Sequence, residues 1–349
     1  MNRLLIFFFA VTVTSINAQD LSMVKELLME EEIAKAKTEV QSILSEYPES
    51  AAAYYWLGST LAREYSSAQL NPSRDVKPMI DAGISFEKAK FLNQNCLVET
   101  DGGRRLKSFS SKVYNLAINA YKDSNVEMAF TYFKMVAMSN DWVNVIDTET
   151  LYYTGHCANK LEDSNTAKMY LEKALANKPE DVKIAKELVK ANIKLGEQNE
   201  AKAVIKNSLT YNPTEQDLWQ ELMMLSLDMA DNEEALSAAQ TLSHLDSGNI
   251  STKAFLASLY DKNGKKEKAI STYVECVTMD PEHTMATYNL GVLLYNQSVK
   301  VLQMSPTPEQ KLEANKTLEM SSDYLKQAQK LDPSNSDIKK ILSNIDKMK

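Results

Sequence analysis

Ala167, Ala201, Ala235 and Ala269 stand 34 residues apart, and Leu188, Leu222, Leu256 and Leu290 keep the same interval. Pro179, Pro213 and Pro281 fall on a third column of that period, with Ser247 in its one gap. A fixed period of this size marks a small supersecondary unit that cannot bury its apolar face alone, so successive units must stack. The 349 residues, long enough for two or three ordinary domains, therefore read as one repeat array.

Each unit reads as two helices. In residues 148–181, Leu151, Thr154, Gly155 and Ala158 line one face of a first helix at helical spacing. Glu162-Asp163-Ser164-Asn165 is a polar turn, and Ala167, Leu171, Ala174 and Leu175 line a second helix. Lys178-Pro179 ends it, because proline cannot continue the hydrogen-bond ladder. Gly155 and Ala167 let the paired helices approach closely, while Trp219, Tyr260 and Tyr273 fill larger holes in their own units. Gly and Pro are sparse, at nine each, which argues against an all-β fold with many tight turns.

A small residue, Ala twelve on, a small residue seven further and Pro five further appear here as Gly155, Ala167, Ala174 and Pro179. On these residues the chain resembles the tetratricopeptide-repeat family. The resemblance implies an all-α, right-handed solenoid of about eight helix-turn-helix units with a C-terminal capping helix. The expected units are 19–50, 51–96, 104–143, 148–181, 182–215, 216–249, 250–283 and 284–335, capped by 336–349, as one domain from residue 19 onward. Outlying units fit with insertions: Gly58 and Ala82 stand 24 apart, and Gly291 opens a last unit whose second helix carries Leu325, Ala328 and Pro333.

Three places break the register. Tyr65 to Pro78 holds an insertion with Asn71-Pro72-Ser73 as a turn, and Asp101-Gly102-Gly103-Arg104-Arg105 reads as a linker. Asn296 to Lys316 holds a second insertion, in which Thr307-Pro308-Glu309-Gln310 looks like a helix start. Two long antiparallel helices are expected to project there, and such excursions suit either partner contact or tolerated insertion.

Residues 1–18 read as an export signal: Arg3, the apolar run Leu4 to Val13, and a small residue at Ala18. Cleavage there leaves 38 basic against 47 acidic residues, a net charge of −9. That charge, with only five arginines, does not fit a nucleic-acid binder. No transmembrane segment is expected, because the only long apolar run is too short to span a bilayer. Cys96, Cys157 and Cys276 lack metal-type spacing and read as buried small hydrophobes.

No catalytic constellation appears: His156, His244 and His283 are the only histidines, and there is no H-E-x-x-H, G-x-S-x-G or phosphate-cradling loop. Asp261-Lys262-Asn263-Gly264 is not a calcium loop but a turn with glycine in the left-handed conformation. Neither an enzyme nor a cofactor or metal is expected. The concave face remains, which in the family is lined by the first helices. One column across that face runs Tyr114, Tyr152, Lys186, Gln220, Ala254, Tyr288, and the next runs Ile118, His156, Lys190, Met224, Ser258, Val292. Tyr121 extends the face of its unit, and Lys183, Lys186, Lys190 and Lys194 form a stripe at spacings of 3, 4 and 4. The candidate groove is therefore Tyr114, Tyr121, Tyr152, His156, Lys183, Lys186, Lys190, Lys194, Met224 and Tyr288. The stripe suits an acidic partner segment or a solvated face. The expected function is a non-catalytic adaptor that binds another protein in the bacterial cell envelope, with structural self-assembly as the alternative.

Overall fold

The structure, a computed structural model, describes residues 21–67 and 75–348. The leader and the Asn71-Pro72-Ser73 turn lie outside the described residues. The chain forms two compact units that divide at Lys178 and Pro179.

The first unit holds α1 (Ser22–Met29), α2 (Ile33–Glu46), α3 (Ala51–Ser67), α4 (Lys77–Leu92), the single turn α5 (Cys96–Glu99), α6 (Arg104–Lys122), α7 (Val126–Trp142), α8 (Thr148–Lys160) and α9 (Ser164–Asn177). The second holds α10 (Val182–Lys194), α11 (Gln198–Tyr211), α12 (Gln216–Asp228), α13 (Asn232–Leu245), α14 (Ile250–Lys262), α15 (Lys266–Met279), α16 (Thr284–Gln303), α17 (Pro308–Leu331) and α18 (Ser336–Met348). Eight helix pairs, the turn α5 and the terminal α18 account for the described residues, which contain no strand. The fold is an all-α repeat solenoid.

The period is visible in the helix starts. From α8 to α16 the first helices begin at Thr148, Val182, Gln216, Ile250 and Thr284, every 34 residues. Local chemistry fixes those starts. The Asp147, Asp181 and Asn249 side chains each accept a backbone N–H of the first turn that has no partner within the helix.

A second device closes the turn inside each pair. Glu162, Gly196, Ala230 and Gly264 all take a left-handed backbone, with φ of 63°, 76°, 58° and 72°. The following amide then reaches back to the helix end, as in Asp163 N–H to Ala158 O at 3.0 Å and Asp231 N–H to Ser226 O at 2.8 Å. This satisfies carbonyls that the helix end leaves open.

The core of the first unit is aromatic. Phe86 packs on Tyr55 at 5.3 Å and on Phe109 at 5.0 Å between ring centroids, both edge-on or tilted. The core of the second is mostly aliphatic, with Leu218, Leu222, Leu256 and Leu290 buried beside Tyr260 and Tyr273. The polar α18 turns Ile338 and Ile345 onto Leu318, Leu325 and Ala328, so that its other side faces water.

Two expectations change. Arg104 and Arg105 are not linker but the first turn of α6; the chain reverses at Gly102 and Gly103, whose φ values are 66° and 80°. Ala254, placed on the exposed column by the repeat register, is fully buried in the second unit's core. Its small side chain leaves room for the neighbouring helix to close over it.

Candidate functional site

In the first unit α6 and α8 bring four of the candidate residues together. The ring of Tyr152 stacks on His156 at 5.7 Å and 21°. Across the pair, the Tyr121 hydroxyl lies 3.1 Å from His156 Nε2, and Lys160 Nζ sits 5.5 Å over the Tyr121 ring. Tyr153 joins them: it meets Tyr121 at 5.2 Å and Tyr152 at 5.3 Å, and stacks on buried Phe133 at 5.1 Å and 10°. Tyr114 stands beside the same Phe133 at 6.1 Å. The four tyrosines and His156 are all half-buried, so the rings rest on the core and still present faces to solvent.

Tyr153 escapes the sequence argument because it lies off both columns. Its only signal is the Tyr152-Tyr153 pair, of which the register claims one. Burial pushes the Tyr114 phenol up to about 12, and the charges of Glu149 and Asp147 add to the shift. Tyr153 is raised by burial and then by Glu149. Both hydroxyls stay protonated at neutral pH and act as hydrogen-bond donors. Cys157, next to His156 in sequence, is pushed up to about 11 by burial, so its reactive thiolate form is scarce at neutral pH. Rings, neutral hydroxyls and one imidazole make a surface that binds by stacking and hydrogen bonding.

The lysine stripe belongs to the second unit. Lys186, Lys190 and Lys194 on α10 line a cavity of about 420 Å³, and Lys183 stands outside it at the exposed start of the helix. Facing them, α12 contributes Glu221, Met224 and Asp228. Lys186 donates to Asp217 at 2.6 Å, which holds its ammonium above the usual range against the opposing effect of burial. The stripe is thus matched by three acids of α12, and its excess of positive charge is small. Met224 lies exposed on the same wall. Tyr288, on α16, packs beside Val292 and Tyr295 on the terminal cluster of α17 and α18.

A larger cavity, of about 660 Å³, opens in the first unit between the second helices α4, α7 and α9. Ile84, Val145 and Ile146 are exposed along it, and a Lys90–Asp141 ion pair crosses it. Among the described residues no group of three His, Cys, Asp or Glu side chains could hold a metal ion. No described helix is long and apolar enough to cross a membrane.

The tetratricopeptide-repeat family model matches residues 251–283. No curated protein sequence matches the chain. Among solved structures, YrrB, described as a TPR protein with an unusual peptide-binding site, is 16% identical with a TM-score of 0.42, covering 58% of this chain and 92% of its own. MamA from Desulfovibrio magneticus RS-1 is 18% identical with a TM-score of 0.41, covering 50% of this chain and 96% of its own. TTC0263, a thermophilic TPR protein of Thermus thermophilus, is 19% identical with a TM-score of 0.33, covering 53% of this chain and 98% of its own.

Proposed function

We propose that this tetratricopeptide-repeat protein is a non-catalytic adaptor of the bacterial cell envelope, holding a peptide or helix of another protein on its first-helix faces. Proteins of this fold generally mediate protein–protein interaction. The observation that carries the finer reading is the α6–α8 cluster, in which Tyr121, Tyr152, Tyr153 and His156 rest on the core with ring faces still open. Rigid aromatic side chains of this kind give contact area at little cost in conformational entropy, as hot-spot residues do. Envelope placement is supported by the export-like residues 1–18.

The test is affinity capture with the tagged protein from the envelope fraction of its source, read by mass spectrometry. Reproducible recovery of one or two other proteins, lost with Tyr152→Ala, supports the adaptor. Recovery of the bait alone sinks it. A second reading, self-assembly, is favoured by Met304, Leu312 and Met320, which stand exposed on and beside the extended α17. That reading expects a mass in light scattering that rises with concentration.

A further inference from the structure

The cavity of about 660 Å³ in the first unit is walled by the second helices α4, α7 and α9, away from the first-helix faces treated above. The connection from α7 to α8 adds Val145 and Ile146 to its wall. Those two are 47% and 67% exposed, and Ile84 of α4 is 56% exposed. Large aliphatic side chains left open around one hollow mark a surface that something apolar covers. Phe130, Met135 and Met138 of α7 continue the apolar wall and are half-buried. Methionine fits itself to irregular shapes, so this wall can adapt to what it holds.

Tyr170 of α9 supplies a polar point. It lines the same cavity, is only 9% exposed, and its hydroxyl has no hydrogen-bond partner among the described residues. Burial raises its phenol, and the charges of Glu87 and Asp141 raise it further. The hydroxyl therefore keeps its proton at neutral pH and is a donor. A buried phenol as a rule finds an acceptor, and this one has none from the protein.

The remaining charges of the wall select the acceptor. Asp147 is occupied as the cap of α8, where it accepts the Glu149 amide at 3.2 Å, the Thr150 amide at 3.3 Å and the Thr150 hydroxyl at 2.6 Å. Asp141 is paired with Lys90. Lys134 of α7 and Lys173 of α9 are left against Glu87 alone, and neither lysine has an ion pair among the described residues. The surplus is positive. Lys173 follows Tyr170 by three residues, so the two share one face of α9. Both also interact with the charge of Asp141, which places ammonium and phenol around the same point.

We propose that this cavity binds a small amphipathic carboxylic acid, whose carboxylate accepts the Tyr170 hydroxyl and pairs with the Lys173 ammonium while its apolar body lies on Ile84, Val145 and Ile146. The volume falls within the range of small-molecule sites, about 300–1,000 Å³. A cationic ligand would meet the surplus of lysines, and a purely apolar one would leave the Tyr170 hydroxyl without an acceptor. The site uses no residue of the Tyr121–His156 cluster, so it goes beyond the adaptor reading and does not rest on it.

The test is isothermal titration calorimetry of the purified full chain with decanoate, with decanol and decylamine as neutral and cationic probes of the same chain length. Decanoate should bind about tenfold or more tightly than either. Tyr170→Phe keeps the ring and should weaken decanoate about tenfold, because a donor to a charged group is lost. Lys173→Gln should weaken decanoate roughly twofold to fivefold and leave decanol unchanged. Ile84→Asp, at an exposed position, should abolish binding. Met169→Asp, also exposed on α9 but outside the wall, should not alter it, and circular dichroism melting confirms that the variants fold. No binding of decanoate, equal affinity for decanoate and decanol, unchanged affinity in Tyr170→Phe, or equal losses in Met169→Asp and Ile84→Asp overturns the proposal. Capture of a protein from the envelope depends on other residues, so failure of either experiment leaves the other standing.

Discussion

A Cβ placed on Gly155 would lie 2.5 Å from Leu171 Cγ and 3.2 Å from Ala167 O, so α8 and α9 meet at a distance only glycine allows. Gly291 stands in the same relation to Leu325, at 2.8 Å. Leucine could turn aside, but the Ala167 carbonyl cannot without shifting α9. Gly155→Ala gains about 1 kcal/mol in helix propensity, yet overpacking of this kind costs about 1–3 kcal/mol. We expect a net loss of stability in urea unfolding. A variant as stable as the parent would show that the helix pair relaxes without cost.

The left-handed column at Glu162, Gly196, Ala230 and Gly264 gives a paired prediction. Ala230 bears a strain of about 1–2 kcal/mol in that conformation, and glycine would remove it while losing about 0.5–1 kcal/mol in chain entropy. Ala230→Gly should therefore raise stability by up to about 1 kcal/mol, and Gly264→Ala should lower it by a similar amount. Nothing lies within 4 Å of a Cβ at Gly264, so the effect there is purely one of backbone conformation. Urea midpoints that move in the same direction for both would contradict the assignment.

The same column shows what the sequence can and cannot carry. The 34-residue period is legible because alanine and leucine recur where helices pack, and chemistry and position agree. The turn column is legible at Gly264, which reads as a left-handed turn, but hidden as a column, because the backbone demands a left-handed residue that successive units fill as Glu, Gly, Ala and Gly. The lysine stripe is legible as a 3, 4, 4 spacing on one helix, but its opposing acids come from α12, 31 residues away from Lys186 in the case of Asp217. The gathering of Lys25 of α1, Arg63 of α3 and Arg104 of α6 around one cavity of the first unit is hidden for a related reason: they are separated by 38 and 41 residues, intervals that the irregular early helix pairs set and no fixed period predicts.

Cys96, Cys157 and Cys276 are buried, and no disulfide joins them among the described residues. Burial pushes the Cys157 and Cys276 thiols up to about 11 each. Thiolate, the reactive form, is then scarce at neutral pH, and the sulfur is shielded as well. A chromogenic disulfide reagent should titrate none of the three in the folded protein and all three in denaturant. Rapid reaction of any one in the native state would mean that its helix pair opens locally.

Glu221 gives the last prediction, and its sign is opposite to the usual one for a carboxylate. Burial raises its carboxyl above the usual range, the Lys186 ammonium pulls it down, and Asp217 raises it again. One oxygen is buried with no hydrogen-bond partner among the described residues. The folded state therefore takes up this proton more readily than the unfolded chain. Its contribution to stability is fully present below the ordinary carboxylate range and is lost as pH rises through the raised value. Glu221→Gln, which stays neutral, should match or exceed the parent at about pH 7 by a few tenths to about 1 kcal/mol, discounted because the group is only partly buried. The advantage should vanish near pH 4. Asp231 and Glu234 run the other way. Hydrogen bonding to Lys202, at 2.9 Å, lowers Asp231; at Glu234, 2.6 Å from the same ammonium, burial opposes the shift, and Lys202 and Lys206 outweigh it. Their contribution is present at neutral pH and is lost as pH falls through their lowered values. Urea midpoints across this range should therefore show Glu221→Gln flattening one slope and Lys202→Met flattening the other. A Glu221→Gln advantage that persists unchanged into acid would mean that packing, and not charge, sets the cost at this position.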